Sequence, residues 1–181
     1  MEWEWIDSLL ELRTKWVSFI GEKWRDDKGV ELEYWRVERP DSVIVLPIQE
    51  NCLLLPKPVF RPGVKSMTLD FPGGRTDQNG GPEKAALEIL DRELGIGSSA
   101  VLDLKHLNEA GWLINSSFSN QKLHAYVAEI DAGFSVPLSL LGHRVNQDMK
   151  SLNGLLEQLE CLQCRSVLLE WIRQQYNGEK S

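Results

Sequence analysis

At 181 residues, with 42% hydrophobic and 26% charged residues, the chain has the length and balance of one soluble globular domain with a sizeable core. A formal net charge of −7 and a pI near 5.1 argue against a nucleic-acid polymer as partner, because no basic stripe exists to release counterions from phosphate. No apolar run approaches the roughly 20 residues of a membrane span. The start, Met1-Glu-Trp-Glu-Trp, lacks the basic region of a signal peptide, so a cytoplasmic protein is expected.

Residues 1–15, carrying Trp3, Ile6, Leu9, Leu10 and Leu12, read as a short amphipathic helix or an arm preceding a domain at 16–176. Trp16 to Arg25 alternates apolar and polar residues. Asp26-Asp27-Lys28-Gly29 is a hairpin turn signal, and Val30 to Arg39 alternates again, predicting a β-hairpin over 16–39. Ser42 to Ile48 and Asn51 to Phe60 read as two further strands, the second leaving the sheet where Pro56 and Pro58 fall. Arg61-Pro-Gly-Val64 is a turn, and Met67 to Phe71 a short strand.

A glycine-rich loop, Pro72-Gly-Gly-Arg-Thr-Asp-Gln-Asn-Gly-Gly-Pro82, then enters one clean helix. Pro82 suits the first helical turn, Gly81 can serve as the cap, and Gly95 stops the helix as a left-handed residue. Ala100 to Leu113 predicts a strand with an irregular start, Asn115 to Asn120 a polar loop, and Leu123 to Ile130 a strand. Phe134 to Gln147 reads as mostly loop with a turn of helix. Leu152, Leu155, Leu156, Leu159, Leu162, Val167, Leu168, Trp171 and Ile172 make an apolar face over 149–176, a long C-terminal helix or a broken pair, with 177–181 as a disordered tail. Hairpin, strands, helix, strands and helix in this order predict an α+β fold with a mixed β-sheet.

Cys52, Cys161 and Cys164 fit a reducing compartment. The last two form a C-x-x-C, which can mean redox chemistry or half a zinc site. It lies inside a helical pattern with no second Cys or His pair nearby, so buried structural thiols are expected.

The stretch from Gly74 to Ile96 resembles the Nudix box, in which Gly, five residues, Glu and seven residues precede Arg-Glu-hydrophobic-any-Glu-Glu-any-Gly-hydrophobic. Gly74, Leu90, Glu93, Gly95 and Ile96 hold their places. Gly80, Glu88, Ile89 and Arg92 stand where the pattern has Glu, Arg, Glu and Glu. Val37-Glu-Arg-Pro40, Arg61-Pro-Gly63, Asp70-Phe-Pro-Gly-Gly74 and Ser117-Phe-Ser-Asn-Gln-Lys-Leu-His124 are similar to the flanks of the ADP-ribose pyrophosphatase branch of that superfamily.

The resemblance implies a Nudix-type α/β/α sandwich and hydrolysis of a nucleoside-diphosphate-linked small molecule such as ADP-ribose. It implies magnesium or manganese as cofactor if the protein is active, and a homodimer that exchanges N-terminal strands. The chemistry needs hard oxygen ligands, and carboxylates at i, i+3 and i+4 of a helix converge on one point. By resemblance the metal ligands fall at Ile89, Arg92 and Glu93, with the carbonyl of Gly73, which leaves Glu93 as the remaining carboxylate and the candidate catalytic residue. A guanidinium at position 92 opposes a divalent ion by on the order of 4 kcal/mol per unit charge at about 4 Å.

Glu88 and Arg92 look like a charge-swapped i, i+4 pair, which keeps the helix and loses the ligand. Asn120-Gln121 replaces the branch's acidic pair, and neither amide is a general base near neutral pH. A weaker site from Glu88, Glu93 and the Gly73 carbonyl is the alternative. Asp70, Asp77, Glu83 and Asp91 are further nearby acids, of which Asp91 lies about 160° around the helix from Glu93.

Binding is less damaged. Gly73 and Gly74 let backbone approach a ligand, Arg39, Arg61 and Arg75 can meet an anion, and Trp24 or Trp35 can stack on a base or bury in the sheet. His124 reads as a sheet histidine. Two functions follow: a non-hydrolysing or weakly hydrolysing descendant with a nucleotide-binding or protein-interaction role, and a metal-dependent pyrophosphohydrolase with unusual ligands. Four of the seven tryptophans precede Arg25, which points to an interface there.

Overall fold

Three strands begin the chain, β1 (Glu4–Arg13), β2 (Ser18–Arg25) and β3 (Glu31–Glu38), in an antiparallel sheet of that order. They come from a computed structural model that describes residues 2–76 and 80–178. The β2–β3 hairpin follows the alternation. Its turn is closed by Asp26, whose Oδ1 accepts the backbone N–H groups of Lys28 at 2.9 Å and Val30 at 2.8 Å. Gly29 there takes φ +83°, a conformation that favours glycine.

The helix expected within residues 1–15 is corrected to the strand β1. Register shifts between Trp5 and Asp7 and between Ser8 and Leu10 each interrupt the pairing with β2. These irregularities break the period of two that marks a strand and leave Trp3, Ile6, Leu9 and Leu10 at helix-like spacings. These strands, up to Asp41, form one compact unit with Leu113–Lys122.

The second unit holds Ser42–Trp112 and the chain from Leu123 onward. Its seven-stranded mixed sheet is built from β4 (Ser42–Gln49), β5 (Cys52–Pro56), β8 (Gly73–Arg75), β9 (Val101–His106), β10 (Trp112–Leu113), β11 (Lys122–Ile130) and β12 (Leu141–Asn146). β6 (Val59–Arg61) and β7 (Ser66–Thr68) make a separate ribbon. The path β10-β11-β4-β5-β12 carries β8 on β4 and β9 on β11, and β4 runs parallel to β11 while its other pairings are antiparallel.

α1 (Gly81–Leu94) packs on one face. Its Ala85, Ala86, Ile89, Leu90 and Leu94 are buried with Val43, Val45, Leu54, Tyr126 and Ala128. Strand alternation sends Ile44 and Leu46 to the other face, where α2 (Met149–Gln158) packs on β12 and α3 (Leu162–Gly178) on β4. This is the expected α/β/α arrangement of a mixed sheet.

Local details differ from expectation for physical reasons. Gly80 rather than Gly81 stands at the cap of α1, and Gly81 takes φ +70° ahead of Pro82. Gly95 ends the helix at φ +68°, its N–H bonded to Asp91 O and that of Ile96 to Leu90 O, so two carbonyls of the last turn are satisfied. The irregular start of β9 is a single 3₁₀ turn at Ser98–Ala100.

The loop expected over 134–147 contains the strand β12. Exposed on most of its length, it needs no apolar alternation, and its main-chain pairing with β5 defines it. The C-terminal apolar face is a broken pair. Asp148 caps α2 by accepting from the Ser151 N–H at 3.0 Å, and Leu159 is extended. Arg165 covers the carbonyls of Leu156 and Leu159 at the break. α3 continues to Gly178, past the start of the expected tail, of which 179–181 lie outside the described residues. Among the described residues no helix is long and apolar enough to cross a membrane.

In the first sheet Gly21 lies opposite Trp35, whose ring also stacks on Phe19 at 5.4 Å between centroids. A Cβ on Gly21 would come within 2.3 Å of the indole. Gly21→Ala is therefore expected to lower stability by about 2 kcal/mol through displacement of the ring, measured by chemical denaturation with Trp fluorescence as readout.

Candidate functional site

The last turn of α1 lies against β8, and glycine is what lets it approach. An added Cβ on Gly74 would meet Ile89 Cδ1 at 3.0 Å and Arg92 Nη2 at 3.2 Å. The space above Gly74 is thus taken by the helix's own side chains. Ile89 is 1% exposed and belongs to the core beneath the helix.

Glu93 and Arg92 close the gap between helix and loop. Glu93 Oε2 accepts the Gly73 N–H at 3.1 Å. Arg92 Nη2 donates to the Gly73 carbonyl at 3.0 Å and to Glu93 Oε1 at 2.7 Å. Both polar backbone groups of Gly73 are therefore engaged. The guanidinium bridges the two oxygens, Gly73 O and Glu93 Oε1, that the sequence resemblance marks as ligands of a cation.

The charge-swapped pair read from the sequence is corrected. Arg92 pairs with Glu93, and Glu88 pairs with Lys84 at 3.5 Å across one helical turn, with its side chain 58% exposed. Glu88 and Lys84 are i, i+4 neighbours as well, and Arg92 has the better alternative of a carbonyl and a carboxylate together. Glu83 and Asp91 are exposed on α1, and Asp77 lies outside the described residues.

The other candidates fall in both units. Arg75 ends β8, opposite Ser42 of β4. Arg61 directs Nε and Nη2 to Asp70 Oδ2 at 3.1 and 2.8 Å, and the Thr68 hydroxyl donates to the same oxygen at 2.9 Å. The candidate anion-binding arginine is thereby held by an acid.

In the first unit, the Arg39 backbone N–H donates to Asn120 Oδ1 at 3.0 Å, and its buried Nε has no hydrogen-bond partner among the described residues. Gln121 Nε2 donates to Pro40 O at 2.7 Å. The two amides thus pin their loop to the end of β3.

Trp24, with Trp3, Tyr34 and Arg36, lines a shallow cavity of about 250 Å³. Arg36 is fixed there by Glu22, at 2.9 and 3.2 Å, and by Glu38 at 2.8 Å. The Arg36 guanidinium bonded to it holds the Glu22 carboxyl below its ordinary range. Trp35 has instead the structural role of covering Gly21.

In the second unit a larger cavity of about 570 Å³ lies away from the glycine loop, lined by Lys105, His106, Glu129, Trp171 and Gln174 among others. Burial and the neighbouring His124 lower His106 from its ordinary value, and burial pushes Tyr126 up to about 12.

One grouping escaped the sequence. Asp70, Cys161 and Cys164 bring a carboxylate oxygen and two sulfurs within 4.8 Å of one another, the one such set among the described residues. The expected burial holds for Cys164, 2% exposed, but Cys161 is only partly buried. The C-x-x-C itself was the available signal. Periodicity left open whether the C-terminal pattern breaks, and so did not show that Cys161 stands at a helix start.

A mixed sheet between α1 and the α2–α3 pair, with the glycine loop running into α1, is the architecture of the Nudix fold. A solved structure shares it: the crystal structure of an ADP compounds hydrolase matches with a TM-score of 0.78 over 99% of this chain and 96% of that one, at 21% identity. Among curated proteins, mouse ADP-sugar pyrophosphatase is 33% identical over 93 residues, a match covering 45% of this chain and 42% of that protein. The match thus spans less than half the length of that relative. No established family profile matches the chain. Fold over the whole chain and sequence over the matched stretch bear out the resemblance to the Nudix superfamily and its ADP-ribose pyrophosphatase-like branch.

If Arg92 is the brace between α1 and β8, its removal is felt and that of Glu88 is not. Arg92→Met is expected to cost about 1 kcal/mol, its two contacts being partly exposed, and Glu88→Gln less than about 0.5 kcal/mol. Paired urea titrations of the two variants measure the difference.

Proposed function

We propose that the protein is a Nudix-fold binder of a nucleoside-diphosphate-linked molecule in which hydrolysis is absent or very weak. The observation that carries this reading is the Arg92 guanidinium lying on both Gly73 O and Glu93 Oε1. A divalent ion would need those oxygens plus further hard ligands. Position 89 offers a buried isoleucine, position 92 a cation, and Glu88 turns to Lys84. The residues present do not fit magnesium or manganese, and the contact that a metal would have made between loop and helix is made by an ion pair.

Retained binding is supported by the names of the two similar proteins, an ADP-sugar pyrophosphatase and an ADP compounds hydrolase. It is supported also by the shallow aromatic cavity at Trp3, Trp24 and Tyr34, whose rings are surfaces on which a base can pack. A homodimer through the first sheet belongs to the same reading. Trp5, Leu10 and Leu12 of β1 are 51%, 45% and 56% exposed, an apolar edge of the kind that a partner covers. The second reading, a working pyrophosphohydrolase with unusual ligands, is favoured by the same two names.

One experiment separates them. With ADP-ribose and a panel of nucleoside-diphosphate sugars in magnesium or manganese, the protein is expected to release no metal-dependent product. ADP-ribose should raise its melting temperature by a few degrees at saturating concentration. Trp24→Ala should weaken that binding about tenfold, the effect of losing one stacked base. Metal-dependent turnover that disappears in Glu93→Gln would overturn the binder in favour of the enzyme.

A further inference from the structure

The break between α2 and α3 decides the chemistry of the C-x-x-C. The carbonyl of Cys161 accepts the Arg165 N–H at 3.0 Å, the first hydrogen bond of α3, so Cys161 occupies the cap position and Cys164 the third helical one. The Cys161 sulfur is placed as a capping side chain. It lies beside the Cys164 thiol and toward the backbone N–H groups of Cys164 and Gln163. Together these lower it to about 6 despite partial burial and the repulsion of Asp70. Cys164 is pushed strongly upward by the neighbouring Cys161 sulfur and by burial. One sulfur is partly exposed at a helix start that favours its thiolate, and the other is buried and adjacent. Cys164 Sγ also lies 3.8 Å from Asp70 Oδ1, which gives its proton a way out.

We propose that Cys161 and Cys164 form a redox-active pair, a modification site that closes to an intramolecular disulfide in exchange with a small-molecule disulfide. The Cys161 sulfur attacks one sulfur of the oxidant, whose S–S bond breaks and releases a first thiolate. A mixed disulfide remains on Cys161. Cys164 gives up its proton toward Asp70 Oδ1 and attacks Cys161 Sγ, forming the internal S–S bond and expelling the second thiolate. The protein loses two hydrogens and two electrons, and the oxidant is reduced to two thiols.

The same three groups suit a metal ion less well. They supply three ligands, and the Arg61 guanidinium already lies 2.8 Å from Asp70 Oδ2. The pair is independent of the nucleotide reading.

The full chain equilibrated with an excess of oxidised over reduced glutathione, then alkylated and mapped by mass, tests this. The peptide holding Cys161 and Cys164 is expected two hydrogens lighter and unalkylated, with Cys52 alkylated, and dithiothreitol should restore both thiols. Near pH 6, Cys161 of the reduced protein should react with iodoacetamide about tenfold faster than Cys52, its larger thiolate fraction outweighing its lower intrinsic nucleophilicity. Cys164→Ser should trap glutathione on Cys161, and Cys161→Ser should take up none at position 164. Should Cys164→Ser fail to fold, the peptide map of the unaltered chain decides alone. Thiols that both remain alkylatable after this treatment, or a stoichiometric metal ion bound to both in the purified protein, would overturn the proposal.

Discussion

A single guanidinium holds the glycine loop to the helix that gives this fold its character. Arg92 donates to Gly73 O and Glu93 Oε1, and Glu93 returns a bond to the Gly73 N–H, so one residue of the loop is clamped at both of its polar groups. Strand β8 is only three residues long and contains two glycines, which carry no side chain to anchor it. Its position depends on pairing with β4 below and on this clamp beside it. Ile89 completes the arrangement from within the core, filling the space over Gly74 that a polar residue would have hydrated. Ile89 and Arg92 thus act together: one dries the position and the other supplies the charge.

Both units commit arginines to their own carboxylates. In the first, Glu22, Glu38 and Trp24 converge around Arg36 and build a rigid wall for an aromatic cavity. In the second, Asp70 takes both Nε and Nη2 of Arg61, and Glu93 takes Arg92, so these cations are committed to the protein's own acids. A guanidinium bound at a carboxylate is a pre-organised donor only when a further N–H remains directed outward. Arg36 is committed in the same way, its Nε and Nη2 to Glu22 and its Nη1 to Glu38, so what that wall presents is its aromatic rings and not its charge.

Much of the fold was legible because its strongest signals are local. The Asp26–Gly29 turn, the buried run Val43–Leu46, the Pro82 start and Gly95 stop of α1 each act over a few residues, and each appears where the pattern put it. What the pattern missed depends on long-range pairing. β1 is bulged and so lost its alternation, and β12 is an exposed edge defined by main-chain bonds to β5. The candidate site was legible as a set of altered positions, and Glu93 with Gly73 did come together. The partner of Arg92 was misread because helix spacing allows Glu88, while the choice was made by Gly73, a residue nineteen positions away in the chain. The role of Asn120 and Gln121 was equally invisible, since their partners, the backbone groups of Arg39 and Pro40, lie eighty-one positions earlier.

That distance has a consequence for how the chain assembles. Leu113–Lys122 belongs to the same unit as the first 41 residues, yet it is synthesised after most of the second unit's sheet. Closing a flexible span of that length costs about 4 kcal/mol of chain entropy before any contact repays it. The parallel pairing of β4 with β11, which sets Ser42 beside Leu123, removes that cost by joining the ends of the span. The β2–β3 hairpin can form early from its own turn, but the amides of Asn120 and Gln121 reach it only once the later strand has paired. Completion of the N-terminal unit is therefore timed by a strand that lies outside most of it, and high contact order makes this the slow part of folding.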